Sequence, residues 1–156
     1  MQGIRKKVQV GVIGGNFGSE EVLKQAEIVG REIAKRGAVL VCGGMGGVMK
    51  AACRGAKSEG GITIGIIPTG NKNDANKYVD YVIATDMGMA RNAIIINSVS
   101  GVIAVGGKYG TLSEIGFALQ KRIPVVSLSS WTVTSDIIKA DNADNAVSVL
   151  FDKIGE

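Results

Sequence analysis

The sequence predicts an α/β fold with a doubly wound, mainly parallel sheet and helices on both faces. Short runs of valine and isoleucine alternate with helical patterns about six times along the chain, which is the order expected of successive βα units. The apolar residues in these runs are consecutive, as in strands that are buried on both faces. Glycine-rich turns follow three of the runs. We therefore expect a single domain over residues 1–156.

The first half of the chain is predicted to hold four strands and two helices. Ser19 is a suitable N-cap for the first helix, and Gly37 a suitable residue to end it. Gly60 and Gly61 separate the second helix from the third strand, which Pro68 ends. The predicted strands are 8–13, 38–42, 62–67 and 81–84, and the predicted helices are 20–35 and 47–59.

A polar segment at residues 69–77 is the longest candidate loop. It follows the carboxyl end of a predicted strand, where a loop of this length can cover a ligand. A mobile connection fits the same composition, so both interpretations stay open.

The second half of the chain continues the alternation. Residues 93–99 are predicted to be helical, although their three consecutive isoleucines also suit a strand. The helix is favoured because the next strand, at 102–105, can pair in parallel only after a crossover. The remaining predictions are a helix at 111–121, a strand at 124–128 and a helix at 143–154. Such a Rossmann-like sheet binds ligands outside the carboxyl ends of its strands, where the strand order reverses.

The amino-acid composition excludes several kinds of chemistry. The chain has no histidine, which removes the Ser-His-Asp triad, the Cys-His dyad and histidine metal sites. We expect no metal site. Cys42 and Cys53 are not spaced as a CxxC motif, and we expect both to be reduced and buried.

The formal charge of +4 is dispersed and only mildly favours anionic ligands. The single basic run, Arg5-Lys6-Lys7, has no interleaved aromatic residues, which is more typical of a solvated terminus than of a nucleic-acid arm. No apolar run approaches the roughly 20 residues of a membrane span, and the chain does not begin with a signal-peptide pattern. We expect a cytoplasmic protein that binds neither nucleic acid nor membrane.

Three glycine-rich turns are candidates for a phosphate site. In the turn after the strand at 102–105, Lys108 and Tyr109 lie among three glycines, and a helical pattern follows. Glycine lets backbone N–H groups approach an anion, and a helix N-terminus adds unpaired amides and the positive end of its dipole. Two such turns would hold one ligand from two sides. The candidate phosphate-binding residues are Gly14, Gly15, Gly43, Gly44, Gly46, Gly47, Gly106, Gly107, Lys108, Gly110 and Thr111.

The turns do not match the common nucleotide-binding motifs. The dinucleotide fingerprint GxGxxG is absent, and no acidic residue ends the second strand to hold a ribose. The P-loop pattern also fails, because Val102 stands where its first glycine belongs and Tyr109 where Ser or Thr would bind magnesium. The sequence therefore argues against a classical NAD or FAD domain and against an ATPase.

Four segments together resemble the Lonely Guy (LOG) family. Residues 42–49 resemble its GGGxxGLM segment, 65–68 its strand ending in proline, 89–92 the segment with its catalytic arginine, and 106–114 its PGGxGTxxE signature. The matches keep the family's order over most of the chain. Characterised members are cytokinin-nucleotide phosphoribohydrolases, and a short branch, which this chain resembles in length, includes molybdenum cofactor carrier proteins.

The chain departs from the family pattern at four positions. Gly106 replaces the proline of the signature, Lys108 its second glycine, Cys42 the first glycine of the upstream segment, and Asn92 the lysine after the arginine. Lys108 either supplies an extra phosphate contact or narrows the turn and disables it.

The resemblance implies roles for two charged residues. Glu114 would act at the sugar of a nucleoside monophosphate, and Arg91 would pair with Glu114 or with a ligand phosphate. The spacing of Thr111 and Glu114 also fits a capping box, in which Thr111 would cap the helix.

Two functions follow from the resemblance. The first is hydrolysis of a nucleoside 5'-monophosphate such as AMP to free base and ribose 5-phosphate, which requires no cofactor. The second is non-enzymatic carriage of molybdenum cofactor, a pterin phosphate, or of a similar phosphorylated ligand. The family also implies a homodimer or a higher homo-oligomer.

Overall fold

The described residues form a seven-stranded sheet in which every neighbouring pair of strands is parallel. The computed structural model describes residues 3–155, so residues 1, 2 and 156 of the expected domain lie outside it. The strands are β1 (Gln9–Gly14), β2 (Val39–Cys42), β3 (Ile62–Ile67), β4 (Tyr81–Ala84), β5 (Gly101–Val105), β6 (Val125–Leu128) and β7 (Ile138–Lys139). Their spatial order is β4-β3-β2-β1-β5-β6-β7. The order reverses between β1 and β5, so the ligand crevice of such a sheet lies at their carboxyl ends.

Helices cover both faces of the sheet, which confirms the predicted fold class. On one face, α1 (Glu20–Lys35), α2 (Gly47–Ser58) and α5 (Ala143–Ile154) enclose the larger apolar core. On the other face, α3 (Arg91–Asn97) and α4 (Tyr109–Gln120) enclose the smaller one. The molecule is therefore a three-layer, Rossmann-like domain.

The predicted elements agree with the structure except in details at their ends. Ser19 caps α1 as predicted, since its Oγ accepts a hydrogen bond from the Val22 amide at 3.2 Å. The isoleucine-rich segment is helical as predicted, but α3 begins at Arg91 because a 3-10 turn at Gly88–Ala90 leads directly into it. The two-residue strand β7 was not predicted, because two residues carry no readable periodicity.

Both cysteines are buried and free, as expected, with their Sγ atoms 3.5 Å apart. Within residues 3–155, no helix combines the length and hydropathy needed to cross a membrane.

Candidate functional site

A cavity of about 530 Å³ lies at the carboxyl ends of β1 and β5. This position is the switch point of the sheet, where ligands bind in doubly wound folds, and the volume is typical of small-molecule sites. The residues that line it are Val12, Ile13, Gly14, Gly15, Asn16, Phe17, Gly18, Ser19, Val22, Gly43, Met49, Met89, Arg91, Asn92, Gly107, Lys108, Gly110, Thr111 and Glu114.

One side of the cavity is the turn between β5 and α4. Gly106 and Gly107 have φ angles of 57° and 95°, which residues with a side chain rarely adopt. A Cβ on Gly107 would also overlap Thr111 Oγ1. The turn leads into α4, whose first backbone hydrogen bond runs from the Leu112 amide to the Lys108 carbonyl at 3.0 Å. The amides that precede Leu112 in the helix therefore have no partner within the helix, which makes them available to an anion.

The opposite side of the cavity is the turn after β1, which supplies residues 14–19. The two turns are close neighbours, since a Cβ on Gly15 would lie 3.9 Å from the Cα of Gly107. Gly14 also lies close to β5, because a Cβ there would lie 2.6 Å from the carbonyl oxygen of Val105. The cavity therefore lies between the first and third glycine-rich turns.

The second glycine-rich turn mostly lies behind the cavity. Of its four glycines only Gly43 is part of the lining. Gly44 packs on β3, Gly46 lies near the Asn16 carbonyl, and a Cβ on Gly47 would overlap the Gly15 carbonyl oxygen. The sequence had suggested that this turn faces the ligand from across the cavity. In the structure it instead supports the turn after β1.

The loop at 69–77 packs against that second turn and contributes no residue to the cavity lining. The Asn76 Nδ2 donates to the carbonyl oxygens of Met45 at 2.8 Å and Gly44 at 3.3 Å. A short 3-10 helix at Lys72–Asp74 lies inside the loop. In this structure the loop is therefore attached to the second glycine-rich turn and does not lie over the cavity.

Arg91 is the first residue of α3; it is buried and lines the cavity. Its Nε donates to the Ile66 carbonyl at 2.9 Å and its Nη2 to the Gly43 carbonyl at 3.4 Å, while Nη1 donates to Asn92 Oδ1. A Cβ on Gly43 would lie 2.6 Å from Nη2, so glycine makes room for the guanidinium. Three of the five N–H donors are thus used, and two are left for a ligand.

Glu114 lies in the cavity wall with only 6% of its surface exposed. Burial raises the pKa of its carboxyl group to about 8, although the charge of Arg91 works in the opposite direction. No ion pair joins Arg91 and Glu114 within the described chain. The acid is therefore mainly neutral at pH 7, which leaves Arg91 and Lys108 as the charged groups of the lining and favours an anionic ligand.

The capping-box interpretation of Thr111 and Glu114 is wrong. Helix α4 begins at Tyr109 with Lys108 as its N-cap, whereas a capping box needs Thr111 in that position. Thr111 and Glu114 instead lie inside the helix, one turn apart, and both line the cavity.

Asn92 is a site residue that the sequence analysis treated only as a departure from the family pattern. It is buried, accepts a hydrogen bond from Arg91 and donates from Nδ2 to Ser113 Oγ at 3.2 Å. It therefore links α3 to α4 beside Glu114. The sequence feature that could have pointed to Asn92 as a site residue is its position directly after Arg91.

Side chains of the turn after β1 were also missed as wall residues. Phe17 is 92% exposed and lines the cavity, with Asn16 and Ser19 beside it. An exposed aromatic residue in a glycine-rich turn is the signal that could have found it. Met49 and Met89 also line the cavity.

Comparison with known sequences assigns the chain to a family. The model of the SLOG cluster4 family matches residues 7–154. An uncharacterized protein of Archaeoglobus fulgidus is 45% identical over 143 residues, which are 92% of this chain and 94% of that protein. A cytokinin riboside 5'-monophosphate phosphoribohydrolase of Mycobacterium tuberculosis is 34% identical over 121 residues. The match covers 71% of this chain and 64% of that enzyme, so the chain spans less than two thirds of the enzyme's length.

Solved structures of similar length share the fold. A molybdenum cofactor binding protein of Rippkaea orientalis has a TM-score of 0.90 at 34% identity, covering 94% of this chain and 97% of that one. The molybdenum cofactor carrier protein of Chlamydomonas reinhardtii has a TM-score of 0.86 at 31% identity, covering 97% and 100%. The chain belongs to the SLOG cluster4 family, within a branch of the LOG-like Rossmann superfamily that includes molybdenum cofactor carriers.

Proposed function

We propose that this chain binds a small phosphorylated ligand in the cavity between the turns after β1 and β5, and that it is a carrier of a molybdenum-cofactor-type pterin phosphate. The observation that carries the proposal is the Gly106–Gly107 turn, which opens the N-terminus of α4 onto a cavity whose charged groups are Arg91 and Lys108. A helix N-terminus with free amides and nearby cations is a phosphate site.

The wall of the cavity suits the rest of such a ligand. A pterin is a flat heteroaromatic ring, and the exposed face of Phe17 offers it a stacking surface. Met49 and Met89 add polarizable apolar contacts. In this arrangement the phosphate lies at the turn and the ring against the apolar wall.

Carriage is favoured over hydrolysis by the lengths of the alignments. The carrier-type structures align over nearly their whole length, whereas the phosphoribohydrolase aligns over 64% of its own. The raised pKa of Glu114 does not separate the two functions, because a protonated carboxyl group suits both a neutral cavity wall and a general acid.

The second candidate function is hydrolysis of a nucleoside 5'-monophosphate to free base and ribose 5-phosphate. It is supported by the presence of Arg91 and Glu114 in one cavity wall. Here a protonated Glu114 would donate its proton to the departing base as a general acid. Arg91 would contact the phosphate or the ribose through its two remaining N–H donors.

One experiment separates the two functions. Purified protein is titrated with AMP and with a pterin phosphate by calorimetry, and each mixture is then analysed for free base by chromatography. A carrier binds the pterin phosphate in a saturable way and releases no base from AMP. Base release that disappears in Glu114→Ala, but not in the surface control Glu21→Ala, would establish the hydrolase instead.

We also propose that the chain forms homo-oligomers in the cytoplasm. Support for association comes from exposed apolar side chains near α3 and α4, including Met89 at 64% and Phe117 at 44% exposure. Two free, buried cysteines suit a reducing compartment.

A further inference from the structure

The segment after β6 donates two side-chain hydrogen bonds to the turn between β5 and α4. Ser130 Oγ donates a hydrogen bond to the Gly106 carbonyl at 2.5 Å. Trp131 Nε1 donates to the Lys108 carbonyl at 3.0 Å. Neither Ser130 nor Trp131 is part of the cavity lining, so both act on the turn from the side away from the ligand.

These two hydrogen bonds fix the direction of the amides that follow each carbonyl. In a trans peptide the C=O and the next N–H point in opposite directions, and the described chain has no cis peptide. The Gly107 N–H is therefore turned away from Ser130, and the Tyr109 N–H away from Trp131. Gly107 itself lines the cavity, so an amide that is turned away from Ser130 is available on the cavity side.

The turn needs such anchors because its glycines do not determine their own peptide orientations. Gly106 and Gly107 both have positive φ, and glycine visits other backbone regions at little cost. A rotation of the 106–107 peptide would point a carbonyl oxygen at the phosphate instead of an N–H. Trp131 is further located by its ring, whose centroid lies 6.2 Å from that of Tyr109.

We propose that Ser130 and Trp131 are positioning residues that hold the turn at 106–108 with its N–H groups facing the phosphate. The inference deepens the proposed function and rests on phosphate binding in this cavity. The groups are pre-ordered in the free protein, so the ligand does not have to pay for ordering the turn when it binds.

The test compares side chains that differ in the donor alone. Ser130→Ala and Trp131→Phe remove one hydrogen bond each, while Ser130→Thr keeps the hydroxyl. Val133→Ala is the control, since Val133 is in the same segment and 55% exposed. We expect Ser130→Ala and Trp131→Phe to weaken binding of inorganic phosphate and of AMP about three- to tenfold, and Ser130→Thr and Val133→Ala to bind as wild type does.

Amide hydrogen exchange over residues 106–111 in the ligand-free proteins gives the structural readout. Exchange should be faster in Ser130→Ala and Trp131→Phe while the melting temperature of the domain changes little. Wild-type affinity and exchange in both variants would overturn the positioning role and leave the proposed function intact. Failure of the wild-type protein to bind inorganic phosphate, AMP and a pterin phosphate alike would overturn the proposed function, and this inference with it.

Discussion

Glu114 shows how burial alone changes the state of a side chain. An ordinary glutamate has a pKa near 4.5, but burial in the cavity wall raises the pKa of Glu114 to about 8. Between these values the folded protein keeps the proton and the unfolded chain releases it. The contribution of Glu114 to stability is therefore complete below about pH 4.5 and is lost as the pH rises through 8.

Replacing Glu114 with Gln should remove this pH dependence. Each pKa unit corresponds to about 1.4 kcal/mol, so between pH 5 and 8 the wild-type free energy of unfolding should fall by roughly 3 kcal/mol relative to Glu114→Gln. Urea unfolding at several pH values measures both. Glu21→Gln, on the exposed first turn of α1, is the control and should follow wild type. Parallel curves for wild type and Glu114→Gln would contradict the raised pKa.

Single-residue roles were predictable where a motif carried them. Arg91 and Glu114 were found because both belong to recognisable segments, and both line the cavity. Ser130 and Trp131 were not found, because their partners Gly106 and Lys108 are more than twenty residues earlier and only the pairing of β5 with β6 brings them together. Contacts of this kind depend on the fold and leave no local pattern.

The contact between α1 and α2 depends on two glycines. A Cβ on Gly30 would overlap the Ala52 carbonyl oxygen, and a Cβ on Gly55 would overlap the Glu27 carbonyl oxygen. Each glycine thus lies directly against the backbone of the other helix. This close packing fixes α2, and with it the turn at 43–47 that supports the proposed phosphate site.

Gly30→Ala should therefore be strongly destabilising, although alanine is normally the better helix former. Forcing a methyl group into backbone should cost about 3 kcal/mol or more and lower the melting temperature by about 10 °C. Differential scanning calorimetry measures the change.

Gly116→Ala is the matched control for that experiment. Gly116 is also in a helix, but a Cβ there would meet nothing within 4 Å. Its replacement should stabilise the protein by about 0.5–1 kcal/mol. If Gly30→Ala behaved like Gly116→Ala, helices α1 and α2 would have to be further apart than the structure shows.

Element types followed from hydrophobic patterns, whereas element ends depended on backbone contacts. Helix α4 starts at Tyr109, two residues before its predicted start, with Lys108 as its N-cap. The Lys108 carbonyl accepts hydrogen bonds from the Leu112 amide and from Trp131 Nε1. The sequence also did not show that the turn at 43–47 supports the turn after β1. Its glycines look like a phosphate loop in sequence, but Gly47 is required by the neighbouring Gly15 carbonyl.

The alternation of strands and helices predicted a doubly wound sheet with its ligand crevice at the carboxyl ends of the strands. It left the strand order open, and only the structure places the switch point, and with it the cavity, between β1 and β5. Which turns meet there did not follow. The sequence has three glycine-rich turns of similar composition, and only the packing distinguishes the two that face the cavity from the one behind them.

The two faces of the sheet are covered unequally, and this difference leads to a prediction about assembly. Three helices cover one face, whereas α3 and α4, with 7 and 12 residues, cover the other. Phe117 on α4 remains 44% exposed, and burying such side chains against a second copy would remove apolar surface from water.

We expect the wild-type protein to be a dimer or larger by light scattering, and Phe117→Glu to be a monomer because a charge would be buried at the contact. Lys24→Glu on α1, at the opposite face, should leave the assembly unchanged. A monomeric wild type would refute association, and an intact Phe117→Glu assembly would move the contact elsewhere.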